Sequence, residues 1–247
     1  MELYINAIIL VEIADKEQYE IMTLYHYDLH VHTSNVSPCA HVQAEEVVRL
    51  YAQAGYTGIV ITDHYYDRFF QRLEPLPWRD KIARYLEGYH LAKKAGEKLG
   101  VDVFLGAELK LNNSLNDYLV YGVNEEFLLE YPALYQLELE QLYRLLRTNG
   151  MLLYQAHPFR NYMDRVDPAL LDGIEVFNGN PRHNSRNHLA LVYAKARGLK
   201  MVSGSDFHQI VDLASGGIIL DDRPADNRDL VRALDDLDLP RLIGRWP

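Results

Sequence analysis

Short apolar runs alternate with helical patterns along this chain, and most runs end in a side chain that can bind metal or move a proton. The runs are Tyr25–Leu29, Tyr56–Thr62, Val101–Ala107, Tyr118–Val123, Met151–Ala156, Gly173–Phe177 and Lys200–Gly204. Each is short and rich in β-formers, the mark of a buried strand. Between them lie helix-like stretches at Ala44–Ala54, Asp80–Leu99, Ala133–Thr148 and Asn187–Arg197, with a last one at Asn227–Asp236. Gly55, Gly100, Gly150 and Gly198 stand at expected helix C-caps. Strand and helix in strict alternation predict a parallel sheet covered by helices. About seven such units fit a closed, distorted barrel better than an open sheet.

The polar ends follow a pattern. The first run leads into His30-Val31-His32, the second into Asp63-His64 and the third into Glu108. The fifth ends in His157-Pro158, the sixth in Asn178 and the seventh in Asp206-Phe207-His208. In a parallel barrel these ends converge on one rim, where active sites lie. His30 and His32 are two apart, so both rings point to one side of a strand, and the same holds for Asp206 and His208. Asp63 and His64 are adjacent and diverge on a regular strand. Imidazoles and carboxylates are ligands for Zn, Mn or Fe, and a carboxylate such as Glu108 can bridge two ions. Cys39 is the single cysteine, so a structural zinc-finger site and an intrachain disulfide are both excluded.

Composition narrows the function classes. The chain has 247 residues, 48% of them hydrophobic, and a net charge of −10. This is the composition of a folded domain with a sizeable core. The acidic balance disfavours duplex nucleic acid, which needs a basic face. It leaves room for a small phosphorylated substrate, because local charge can oppose the total. The apolar run Ala7–Val11 is too short for a membrane span and lacks the basic flank of a signal peptide, so a cytoplasmic location is expected. Residues 1–22 read as an N-terminal extension carrying a strand and a short helix. One domain is expected over 1–247, with its core at about 25–220 and a closing helix at about 227–236.

Taken in order, DLHVHT (28–33), ITDH (61–64), GAE (106–108), AHP (156–158), IEVFN (174–178) and GSDFH (204–208) resemble the PHP (polymerase and histidinol phosphatase) superfamily. The resemblance covers residues 25 to 220. It implies a distorted (β/α)7 barrel, two or three divalent metal ions (Mn, Zn or Fe) and hydrolysis of phosphate esters. One ion would be held by His30, His32, Glu108 and Asp206. Glu108 would bridge to a second at His157, and a third would use His64 and His208. Two family positions differ. No His follows the fourth strand, and Pro38 stands six residues after His32, where the family often has Asp or His, with His41 as its nearest substitute.

The expected reaction is metal-assisted hydrolysis of a phosphomonoester or small phosphodiester. His208 and His64, with Asp63 beside them, are the candidates for proton transfer. Arg160, which follows the His157-Pro158 turn, and Arg182 and Arg186, in the loop after Asn178, are candidates for phosphate contact, with Asn178 near the site. The insertion Tyr65–Trp78, aromatic and broken by prolines, reads as a self-packed loop or as a lid. Other readings are an amidohydrolase-type barrel, a metal-binding barrel without turnover and a nuclease of short single strands.

Overall fold

The computed structural model describes residues 23–237 and 240–244. The strand and helix expected within residues 1–22 lie outside the described residues. The elements are β1 (Tyr25–Val31), α1 (Ala44–Gln53), β2 (Gly58–Ile61), β3 (His64–Tyr65), α2 (Asp67–Gln71), α3 (Trp78–Tyr85), α4 (Glu87–Leu99) and β4 (Asp102–Lys110). Then come β5 (Asp117–Tyr121), α5 (Glu125–Glu130), α6 (Leu139–Thr148), β6 (Leu152–Gln155), β7 (Gly173–Asn178) and α7 (Asn187–Arg197). The chain closes with β8 (Lys200–Gly204), β9 (Gly216–Leu220), α8 (Asn227–Asp236) and β10 (Arg241–Gly244).

The strands form one sheet in the order β10-β9-β1-β2-β4-β5-β6-β7-β8, with β3 added on β4. The segment after β8 closes back onto the end of β1 at the rim. Val31 bridges Phe207 in parallel, Phe207 N donates to the His30 carbonyl and His32 N donates to the Phe207 carbonyl. At the other end β9 lies against residues 25–27 of β1. Ser203 ties this end together: its hydroxyl accepts from Gly217 N and donates to the Ile243 carbonyl. The result is a nearly closed, barrel-shaped sheet in a single α/β domain.

The expected all-parallel order holds for β1, β2 and β4 and again for β6, β7 and β8. It fails at β5, which is antiparallel to both neighbours. The link Leu111–Asn116 is too short for a parallel crossover, so β4 and β5 pair antiparallel across a short loop. The start of β5, not its end, therefore reaches the rim.

Alternation along the strands sets two layers. Tyr27, Leu29, Val60, Phe104, Leu119, Tyr121, Leu152 and Tyr154 form one cluster on the inner face. Val31, Ile59, Ile61 and Val103 pack outward against Val47, Val48 and Tyr51 of α1 and Ala92 and Ala95 of α4. A register shift between Asp28 and Val31 breaks the alternation of β1. Such a bulge re-aims side chains. Here Asp28 meets Tyr51 on the helical side, while His30 and His32 stay inside.

The helix expected over 80–99 is two helices, α3 and α4, divided at Leu86. Gly88 of α4 lies against Thr33 and Asp63: a Cβ there would come within 2.2 Å of Thr33 Oγ1. The 65–78 insertion carries the short helix α2, followed by turns, and packs on itself. Tyr65 and Phe70 are buried in an aromatic cluster with Trp78, Tyr85 and Tyr135. The self-packed reading of this segment is the one the structure matches.

Candidate metal centre

His30 of β1 and His32, one residue past its end, are fixed from behind. His30 Nδ1 lies 2.9 Å from Glu175 Oε1, and a carboxylate only accepts, so Nδ1 carries the hydrogen. His32 Nδ1 lies 3.2 Å from Ser37 Oγ. That hydroxyl donates to Asp63 Oδ1 at 2.7 Å, so it accepts from His32. Both rings therefore turn their Nε2 atoms into the barrel mouth, 3.1 Å apart. Two lone pairs cannot face each other at this distance without a cation between or beside them.

The other donors surround the same point. Glu108 Oε1 is 3.4 Å from His30 Nε2 and 3.0 Å from His157 Nε2. Glu108 Oε2 is 3.3 Å from His32 Nε2 and 2.8 Å from His64 Nδ1. Asp206 Oδ1 is 3.4 Å from the Nε2 atom of both His30 and His32. Four ligands about 2.1 Å from an ion, set tetrahedrally, are about 3.4 Å apart. The buried donors are thus already spaced as a coordination shell. Glu108 Oε2 lies 2.8 Å from His64 Nδ1 but outside hydrogen-bond geometry, and neither it nor the buried His157 Nδ1 has a hydrogen-bond partner among the described residues. Such orphaned atoms call for an explanation, and for Glu108 Oε2 an ion supplies it.

Two further groups adjoin this one. Ligand atoms of His32, His64 and His208 lie within 4.8 Å of one another, as do those of Glu108, Asp117 and His157. His208 Nδ1 is held 2.9 Å from the Asp206 carbonyl, which leaves its Nε2 bare. Asp117 stands at the rim because β5 is reversed, and it also accepts from Lys110 Nζ at 3.0 Å. His157 and Asp206 both have positive φ, 30° and 53°. Each non-glycine residue held there costs of order 1–3 kcal/mol. The surrounding contacts hold them: His157 N donates to Glu175 Oε2, and Asp206 meets Arg160.

The electrostatics ask for positive charge. Burial alone would raise the carboxyls of Glu108 and Asp206, but His30 beside both, with His64 and His32, holds them well below the usual range. Burial would lower His30, yet Glu175, Asp206 and Glu108 outweigh it and push His30 well above the ordinary value. In the metal-free chain a proton answers this demand, and a divalent ion competes with it. The donors are all nitrogen and oxygen, a set that fits Zn, Mn or Fe.

A cavity of about 250 Å³ opens above these donors. Arg160, Asn180, Arg182 and His183 form its wall, and Cys39 lies at its edge with Sγ 3.2 Å from His64 Nε2. Arg160 is braced by Asp206 Oδ2 at 2.5 Å, Asn178 Oδ1 at 2.7 Å and Ser185 Oγ at 3.0 Å. Arg182 makes a two-pronged pair with buried Asp212, whose Oδ2 also accepts from His208 N and Gln209 N. Burial, then Arg160, lowers the pKa of His183.

The PHP domain family model matches residues 28–232, most of the chain. The chain belongs to the PHP domain family. Solved structures agree on the fold. One is a two-domain protein from Bacteroides vulgatus containing a predicted PHP-like metal-dependent phosphoesterase (TM-score 0.63, 18% identity, 87% of this chain and 63% of that one). Another is PsfC from Pseudomonas syringae (TM-score 0.63, 17% identity, 91% and 93%). A third is the lesion-specific endonuclease PfuEndoQ from Pyrococcus furiosus (TM-score 0.58, 12% identity, 89% and 58%). This PHP chain spans less than two thirds of the first and third of these proteins. No curated protein matches it. Among the described residues no helix is long and apolar enough to cross a membrane.

In this PHP domain His30, His32, His64, Glu108, His157, Asp206 and His208 come together at the barrel mouth as the sequence predicts. Arg160 and Arg182 reach the same cavity. Three residues fall elsewhere. The Asp63 carboxylate turns away from the cavity and accepts from Thr33 N, Thr33 Oγ1 and Ser37 Oγ. Asn178 is buried and braces Arg160 and Glu175. Arg186 bonds the Phe159 carbonyl and Asn161 beside a neighbouring cavity. Sequence reasoning missed Asp117, Glu175 and the bracing pair Ser37 and Asp212. A reversed β5 would have exposed Asp117, since the short link after β4 permits no other direction.

Proposed function

We propose that this PHP domain protein hydrolyses a small phosphate ester, a phosphomonoester or small phosphodiester, with two or three divalent ions at the barrel mouth. The observation that carries the reading is the paired Nε2 atoms of His30 and His32, ringed by Glu108 and Asp206 at ligand spacing below an arginine-lined cavity. His30, His32, Glu108 and Asp206 would hold one ion, Glu108, His157 and Asp117 a second, and His64 and His208 with His32 a third. When bound, Mn, Zn or Fe supplies Lewis acidity and an activated water near neutral pH.

The chain supplies the rest. Arg160 and Arg182, each fixed by a carboxylate, offer N–H groups to phosphoryl oxygens and need no reordering when substrate arrives. His64 and His208 line the cavity, and whichever of them the third ion does not engage is the proposed proton donor to the leaving oxygen. Asp63 acts through others: it fixes Ser37, and Ser37 fixes His32. Glu175 does the same for His30 directly.

The test is a substrate panel. The full chain is stripped with a chelator, reloaded with Mn, Zn or Fe, and given phosphomonoesters, diesters, amides and lactones. Metal-dependent release of phosphate, directly from monoesters or after a coupled phosphatase from diesters, supports the proposal. Turnover of amides or lactones instead would make the chain an amidohydrolase-type enzyme, and bound metal without turnover would make it a non-catalytic barrel.

A further inference from the structure

A second cavity opens beside the first. It has a volume of about 290 Å³ and is lined by Arg160, Arg165 and Arg186, with Asp164 and Phe159. Arg160 borders both cavities. Three arginines line it against Asp164, and with Arg160 paired to Asp206 the hollow is still net positive in a chain of net charge −10. Arg186 is fixed by the Phe159 carbonyl at 3.1 Å and Asn161 Oδ1 at 2.7 Å. Arg165 is exposed and makes no hydrogen bond or ion pair among the described residues. The other arginines at this rim are occupied: Arg160 by Asp206, Arg182 by Asp212. Like charges gathered in one hollow, one of them unpaired, form a site for an anion, and guanidinium suits carboxylate and phosphate alike.

We infer that the second cavity is an anion subsite, and that the substrate carries a second anionic group, phosphate or carboxylate, a few atoms from the ester phosphate. This rests on the phosphoesterase reading above. Arg160 joins the two subsites, so one small molecule spans them. Arg165 is then a specificity-determining residue. It acts on binding of the second group and not on the bond that breaks.

The experiment compares three esters on the metal-loaded full chain: glycerol 2-phosphate, 2-phosphoglycerate and 2,3-bisphosphoglycerate. The first lacks a second anion, the second adds a carboxylate and the third adds a phosphate as well. The chain is expected to show a KM about tenfold lower than that for glycerol 2-phosphate with one or both of the esters that carry a further anion, and the lower of the two identifies the second group. Arg165→Ala raises that KM about tenfold and leaves kcat unchanged, and Arg165→Lys recovers part of the loss. Equal KM values for all three esters, or an Arg165→Ala effect of the same size on glycerol 2-phosphate, overturns the inference. Calorimetric titration of the metal-stripped chain with inorganic phosphate separates the two readings. Phosphate binding weakened by Arg165→Ala in a chain that hydrolyses no ester supports the subsite and contradicts the phosphoesterase. Phosphate binding that Arg165→Ala leaves unchanged overturns the subsite.

Discussion

His30 and His32 present their Nε2 atoms to each other at 3.1 Å, and each ring is locked from behind by a different partner. Glu175, from β7, takes the Nδ1 hydrogen of His30. Ser37, in the loop after β1, takes that of His32, and Asp63 fixes Ser37 in turn. The ring orientations are set before any ligand arrives. Metal affinity here should therefore depend on residues that never touch the ion.

Glu175→Gln is the sharpest test of that dependence. The carboxylate accepts from His30 Nδ1, His157 N and Asn178 Nδ2, and an amide has one acceptor oxygen where the carboxylate has two. Metal affinity, measured by competition with a chromophoric chelator, is expected to fall about 10–100-fold. Far-ultraviolet circular dichroism should be unchanged. An unaltered affinity would show that Glu175 does not orient His30.

Asp117→Asn addresses the second ion. Asp117 lies with Glu108 and His157 in one group, apart from His30, His32 and Asp206. Metal content after reloading and desalting, read by mass spectrometry, should fall without reaching zero. A content equal to that of the unchanged chain would remove Asp117 from the ligands.

Gly204 tests the packing that lets β8 approach β1. A Cβ there would lie 2.4 Å from His30 Cβ and 3.1 Å from Glu175 Oε1. Gly204→Ala must push the His30 ring away from Glu175. A loss of about 1–3 kcal/mol in urea unfolding is expected, along with weaker metal binding. Wild-type stability and affinity in this variant would contradict the close approach.

Metal should stabilise the fold with a definite pH dependence. At a free metal concentration 100 times Kd the gain is about 2.7 kcal/mol, a rise of roughly 5–10 °C in Tm for a domain of this size. Imidazole binds metal in its neutral form. The gain should be greatest at alkaline pH and shrink as pH falls through the raised pKa of His30, beginning above the ordinary histidine value of about 6.5, as protons take the ring nitrogens. A metal-induced rise in Tm that is the same at pH 5 and pH 8 would exclude histidine ligands.

Much of this centre was legible in the sequence because parallel strands deliver their ends to one rim. His30 and His32, Glu108, His157, Asp206 and His208 all follow from that rule. The residues it hides are hidden for physical reasons. Asp117 begins a strand instead of ending one, and a search of C-terminal ends passes over it. Glu175 lies inside β7, where alternation alone reads a buried carboxylate as an outward-facing residue, and its partner is far away in sequence. Asp63 was legible as a polar strand end, but which way it turned was not, because Thr33 and Ser37 reach it from another loop. The β1 bulge that turns both histidines inward leaves no mark in an H-x-H spacing. β10 was not foreseen either: Arg241–Gly244 carries no alternation strong enough to separate it from a tail.

The central claim is that the donors around His30 and Asp206 hold the ions that make this barrel a phosphoesterase. It is tested most directly by phosphate release from the preferred ester, measured with metal-loaded wild type, His30→Ala and Asp206→Asn side by side, with metal content determined for each. Metal-dependent release by the wild type, with loss of both metal and activity in the two variants while the fold persists, is the expected result. Phosphate release that survives chelation, or that either variant retains at the wild-type rate, would contradict the account.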